Sequence, residues 1–84
     1  MLKKINKVCK KLNASKATRT KVLEVLNEIY KNPFAYLSYK GKRLSSNRDI
    51  ITVRISRKIR LILKDIDGDI IFVDLINRES GYAY

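Results

Sequence analysis

The order of patterns along the chain predicts an α+β domain, with helices first and antiparallel strands after them. Three observations carry this. Apolar residues recur at helical spacing through residues 2–12 and again through 16–30. Residues 50–63 switch to the period-two alternation of a half-buried strand, filled with Val, Ile, Leu and Thr. Asp67-Gly68 then sits between two apolar runs, the strongest short-range hairpin signal in the chain.

With 84 residues, 45% of them hydrophobic, there is room for one domain and one modest core. Nineteen Lys and Arg against eight Asp and Glu give a net charge of +11. That density makes a polyanion the leading partner class: RNA, DNA, an acidic protein or an anionic membrane. No apolar run approaches the roughly twenty residues of a spanning helix, and the start of the chain lacks a signal-peptide pattern, so a cytoplasmic protein is expected. The single cysteine, Cys9, cannot form an internal disulfide, and without histidine no zinc constellation can be assembled. Cys9 falls on an apolar stripe and reads as a core residue rather than a nucleophile. Nothing in the sequence asks for a cofactor.

The first helix is basic and amphipathic. Leu2, Ile5, Val8, Cys9 and Leu12 share one stripe, and five lysines occupy the remaining circumference. It is short and free of aromatics, which argues against a membrane-surface helix. Ser15 is the expected N-cap of the second helix, whose buried stripe is read as Val22, Leu23, Leu26, Ile29 and Tyr30. Asn32-Pro33 ends it, because the residue before proline is pushed out of helical geometry. From Phe34 to Tyr39 a short strand or an apolar strap is expected. Lys40-Gly41-Lys42-Arg43 follows as a basic loop and Ser45-Ser46-Asn47 as a turn. Interleaved aromatics and cations of this kind suit stacking on bases and pairing with phosphates, and equally suit an ordinary connection.

The run from Ile50 to Leu63 carries the chemistry. If it turns back around Ser56-Arg57-Lys58, Ile55 meets Ile59, Val53 meets Leu61 and Ile51 meets Leu63 on one side, while Arg54 and Arg60 share the other. A two-residue turn would mix the faces, so an odd-length loop is preferred although it lacks the glycine such loops usually carry. Two opposed guanidiniums repel unless an anion lies between them, and the simplest anion is a phosphate. The plain alternative is that both arginines merely solvate an open sheet face. After the Asp67-Gly68 turn, Ile70-Ile71-Phe72-Val73 is apolar throughout, so this last strand is expected to lie centrally and covered on both faces. Four aspartates (Asp65, Asp67, Asp69 and Asp74) gather near this hairpin and leave the basic surface elsewhere.

Helical hairpin, basic loop, R-I-S-R-K-x-R-L-I, a D-G hairpin, I-x-F-V-D and a closing R-x-x-x-Y-x-Y together resemble the RelE/ParE superfamily of toxins, over residues 16–84. The resemblance implies two helices packed on a small twisted antiparallel sheet of three to four strands, in a single domain spanning 1–84. RelE-type members cut messenger RNA in the ribosomal A site, whereas ParE-type members poison DNA gyrase without being nucleases. Both are held by an antitoxin, here expected to be acidic. Carried over by position, Arg54 matches a basic strand residue that helps hold or activate substrate, Arg60 the arginine at the scissile phosphate, and Arg78 the arginine near the leaving group. Tyr82 and Tyr84 both match tyrosine spacings seen in the family. Lys40, Lys42, Arg43, Arg57 and Lys58 are the expected RNA-binding residues.

The chain departs from the family in three places. Thr52 stands where RelE-type enzymes carry a second basic residue, no terminal histidine is present, and the chain opens in a helix where relatives begin with a strand. The last departure leaves an open sheet edge, which an antitoxin segment or a second copy would fill. Cleavage through the 2′-hydroxyl needs in-line alignment, charge stabilisation on the phosphoryl oxygens and proton transfer at both ends. Without histidine, proton transfer falls to Lys58, Lys42 or a tyrosine, and most of the rate would come from positioning and electrostatics by Arg54, Arg60 and Arg78. The sequence therefore favours a metal-independent, ribosome-dependent endoribonuclease. The alternatives are a ParE-like gyrase poison and a catalytically silent basic member that binds nucleic acid or a partner.

Overall fold

The computed structural model describes residues 2–77, with side chains from residue 3 onward. Two helices come first, α1 (Leu2–Lys11) and α2 (Lys16–Lys31). Asn13 takes a left-handed conformation with φ 54° and ends α1, while the Ala14 amide donates to the Cys9 carbonyl at 2.9 Å. Ser15 caps α2 as expected: its hydroxyl accepts from the Thr18 amide at 3.1 Å. Arg19 Nε donates to Asn6 Oδ1 at 2.6 Å and ties the two helices together across their turn.

Four strands follow, β1 (Lys42–Arg43), β2 (Ile50–Arg54), β3 (Ile59–Ile66) and β4 (Asp69–Asn77), in the antiparallel order β1-β2-β3-β4. The expected α+β architecture of a helical hairpin on an antiparallel sheet is therefore observed. One sheet face meets the helices: Ile51, Val53, Leu61 and Leu63 are wholly buried there, against Ile5 and Cys9 of α1 and Val22, Val25, Leu26 and Ile29 of α2. Val25 belongs to the buried stripe of α2, and Tyr30, expected within it, is half exposed. Lys4 Nζ lies 5.5 Å from the centre of the Phe72 ring and pins α1 over β4.

The β2–β3 register is the one the alternation predicts. Ile51 faces Leu63, Val53 faces Leu61 and Arg54 faces Arg60. The connecting loop closes without glycine because, among the described residues, none of its members takes a positive φ. Ser56 supplies the closure instead, its hydroxyl accepting from the Ile59 amide at 3.2 Å. At the other end of β3, Asp67 and Gly68 have φ of 54° and 93°, the left-handed pair that a two-residue hairpin needs.

Three expectations are corrected. Residues Pro33–Tyr39 form a 3-10 helix rather than a strand or strap, started by Pro33 and by Asn32, whose side chain accepts from the Phe34 amide. Its tight turn buries Tyr36 and leaves Phe34 and Leu37 68% and 60% exposed. The second half of the basic loop pairs with β2 as β1. Finally, β4 lies at an edge of the sheet, not its centre. The central, continuously buried segment is Leu61-Ile62-Leu63 of β3. A bulge opposite Ile62 and Leu63 makes Val73 an extra residue, so Phe72 and Leu75 both face the core although three positions separate them. Ile71 is consequently left 39% exposed. Among the described residues the outer side of β4 pairs with no strand.

Candidate functional site

The face of the sheet turned away from the helices is organised by two cross-strand rows. Lys42, Thr52, Ile62 and Asp74 form one; Arg54, Arg60 and Ile76 form the next. Directly opposed side chains have Cβ atoms only about 4.5–5.5 Å apart, so Arg54 and Arg60 are held side by side by the backbone itself. Lys42 and Thr52 extend the same floor. The 3-10 helix and its C-cap contribute Ser38, Tyr39 and Lys40 as one wall, and Lys21 of α2 also lines the cleft. The concavity measures about 420 Å³.

The local chain geometry that creates this wall is specific. Lys40 adopts φ 58° and turns the chain out of the 3-10 helix, its amide donating to the Leu37 carbonyl at 3.1 Å. The Gly41 amide donates to the Tyr36 carbonyl at 2.8 Å, and the chain enters β1 one residue later. Five cationic side chains (Lys21, Lys40, Lys42, Arg54 and Arg60) thus converge on one cleft, and among the described residues no carboxylate lines it. The nearest acid on that face by register, Asp74, lies beyond Ile62 and accepts from the Leu75 amide at 2.8 Å. A cleft with that charge favours an anionic ligand over a cationic one.

The sequence-predicted site residues divide into groups. Arg54, Arg60, Lys40 and Lys42 are brought together in the cleft. Arg57 and Lys58 lie in the β2–β3 turn and, together with Ser15 and Thr18 near the start of α2, border a separate concavity. Arg43 is occupied within the fold: it forms an ion pair with Asp65 at 2.8 Å, donates through Nε to the Tyr36 hydroxyl at 3.1 Å and through Nη1 to the Arg48 carbonyl at 2.9 Å. The geometry gives it a structural place, bracing β1 against β3 and stacking over the Tyr36 ring at 5.6 Å. Arg78, Tyr82 and Tyr84 lie outside the described residues. Cys9 is buried, and its thiol is pushed up by that burial against the opposing field of Arg19. Lys21, Ser38 and Tyr39 were not among the residues singled out from the sequence.

The ion pair also makes a pH prediction. The Arg43 guanidinium, helped by the Gly68 amide, holds the Asp65 carboxyl below its ordinary value. A carboxyl depressed in the folded state contributes stability above the unfolded value, near pH 4, and that contribution is lost as pH falls through the folded value. Thermal unfolding followed from pH 6 to about pH 2 should therefore show a declining midpoint whose low-pH part is flattened in Asp65→Asn. An unchanged slope in that variant would remove the pair from the account of acid sensitivity.

Among the described residues no helix is long and apolar enough to cross a membrane. A search of curated proteins and one of solved structures each return no match to the chain. The family model for the ParE-like toxin domain matches residues 7–80, which takes in the second half of α1, all of α2, the whole sheet and the cleft. With α2, the antiparallel sheet and the cationic cleft all inside that match, the chain belongs to the ParE-like toxin domain family, and so to the RelE/ParE superfamily of toxins that work in toxin–antitoxin pairs.

Proposed function

We propose that this toxin is a ribosome-dependent endoribonuclease of RelE type, gripping a messenger-RNA phosphate between Arg54 and Arg60. The observation that carries the reading is the cross-strand arginine pair, opposed in register within a cleft that offers no carboxylate among the described residues. Two planar guanidiniums facing one another can each take a non-bridging phosphoryl oxygen with parallel hydrogen bonds. Negative charge that grows on those oxygens as the 2′-oxygen attacks phosphorus would be met by donors already in place. The attack forms the 2′-oxygen–phosphorus bond, breaks the bond to the 5′-oxygen, and requires one proton to leave the 2′-hydroxyl and one to reach the 5′-oxygen. Within the cleft, Lys42, Lys40, Lys21 and the Tyr39 hydroxyl are the groups available for that transfer. Such a site positions and stabilises more than it moves protons, which suits a nuclease that depends on the ribosome to align its substrate.

A second reading, a gyrase poison of ParE type with no nuclease step, is favoured by one specific observation. The matching family model is that of the ParE-like toxin domain. The two are separated by inducing the toxin in growing cells and mapping both nucleic acids. RelE-type action yields messenger cut within codons wherever translation is under way, with intact chromosomal DNA. Accumulated DNA breaks covalently attached to gyrase, alongside uncut messenger, would replace the first reading with the second.

A further inference from the structure

The cleft holds more than cations. Tyr39 is the one aromatic ring among its described lining residues. Tyr39 is half-buried: it packs against the hydrophobic core and also lines the cleft. Its backbone is clamped by the hydrogen bonds of Lys40 to Leu37 and of Gly41 to Tyr36 on the C-terminal side. Among the described residues its hydroxyl has no hydrogen-bond partner, so no polar contact dictates how the ring presents its face. A concavity of about 420 Å³ falls within the roughly 300–1,000 Å³ of sites that enclose small organic ligands, and exceeds what a phosphate held by two guanidiniums needs.

We infer that Tyr39 is a base-stacking platform, and that the cleft takes a whole nucleotide of a single strand: phosphate on Arg54 and Arg60, adjoining base on the Tyr39 ring. The inference rests on the reading that a nucleic-acid backbone enters this cleft. An aromatic face beside a cationic groove is how unpaired strands are held with little sequence preference, because every base has a face to stack and a duplex hides it. The ring is also preorganised, so little side-chain entropy is lost when a base settles on it. Tyr39 would act by positioning, fixing the nucleotide so that its phosphate meets both arginines at once.

The test compares two probes at one fixed low salt concentration: a short single-stranded oligoribonucleotide, and a ribose-phosphate strand of equal length and charge that lacks bases. Wild type is expected to bind the base-bearing strand about five- to a hundred-fold more tightly. Tyr39→Leu, which keeps apolar bulk against the core, should erase that preference and leave affinity for the abasic strand unchanged; Tyr39→Phe should retain it. In wild type, the Tyr39 ring protons should shift upfield on adding the base-bearing strand only, a measurement that needs no variant to fold. Equal affinity of wild type for both strands, a preference that survives in Tyr39→Leu, or an unmoved Tyr39 resonance would overturn the assignment. Failure of the underlying reading looks different: Arg60→Ala would then bind both strands as tightly as wild type.

Discussion

Arg60→Ala should abolish toxicity on expression while leaving the protein as stable as wild type or slightly more so. The two halves of this expectation have one cause. Arg60 sits directly across from Arg54, and in the absence of an anion their like charges destabilise the pair. Removing one guanidinium from the half-exposed outer face relieves that repulsion and opens no cavity, because the core face of β3 is made by Leu61 and Leu63. With a phosphate between them the sign reverses. Each charge-assisted contact then contributes roughly 1.5–3 kcal/mol, so phosphate-strand affinity should fall about ten- to a hundred-fold. If the arginine also meets charge that develops during cleavage, loss of one preorganised donor should cost about 10²–10³ in rate. Arg60→Lys should recover only part of either loss, since an ammonium cannot offer the parallel pair of donors. Arg54→Ala should resemble Arg60→Ala, and the double variant should lose much less than the sum, because both groups serve one anion. Thermal melting and growth on induction measure both halves. A variant that melts well below wild type, or one that remains fully toxic, would separate the arginine pair from function.

That pair was legible in the sequence because register follows from alternation. Once Ile51, Val53 and Ile55 are assigned to one face together with Ile59, Leu61 and Leu63, Arg54 and Arg60 have no other place to go. Local turn chemistry was equally readable: Ser15 had only to satisfy an amide three residues away, and Asp67-Gly68 only to supply two positive φ angles. What was not legible depended on partners distant in the chain. Arg43 looked like one more cation of a basic loop, and only the antiparallel arrangement of β1, β2 and β3 brings it to Asp65, 22 positions away. Lys21 reads as an ordinary solvated charge on the wet side of α2, and nothing in helical periodicity says which cleft such a residue borders. The apolar run of β4 pointed to a central strand because periodicity reports burial and not strand order. The bulge at Val73 lets an edge strand present both Phe72 and Leu75 to the core, so a continuous apolar run does not require two covered faces. The wall of the cleft was the hardest part, since Ser38, Tyr39 and Lys40 acquire their positions from a 3-10 helix and its C-cap where the sequence suggested a short strand or an apolar strap.

Gly41→Ala should loosen that wall without touching any residue that lines the cleft. A Cβ placed at Gly41 would stand 2.7 Å from the Tyr36 carbonyl oxygen, 2.9 Å from Tyr36 Cδ2 and 3.1 Å from Val53 Cγ2. The oxygen cannot simply withdraw, because it accepts the Gly41 amide at 2.8 Å, and Val53 is wholly buried beneath. The added methyl must therefore push the 3-10 helix away from β2. That movement strains the Tyr36 ring, which is buried, capped by the Arg43 guanidinium and hydrogen-bonded through its hydroxyl to Arg43 Nε. Overpacking of this kind costs about 1–3 kcal/mol, and for a domain of this size each kcal/mol lowers the melting midpoint by about 4–8 °C. Gly68→Ala is the matching control: nothing lies within 4 Å of its Cβ, but a φ of +93° strains any side chain there, at about 1–2 kcal/mol. The Gly68 turn is at the far end of β3 from Arg60, some eight residues or roughly 25 Å along the chain if fully extended. At a temperature where both variants are folded, Gly41→Ala should bind a single-stranded oligoribonucleotide several-fold more weakly than wild type, and Gly68→Ala should bind it equally well. A Gly41→Ala protein with wild-type melting and binding would mean that the close approach of Gly41 to Tyr36 is not what holds Tyr39 and Lys40 over the arginine pair.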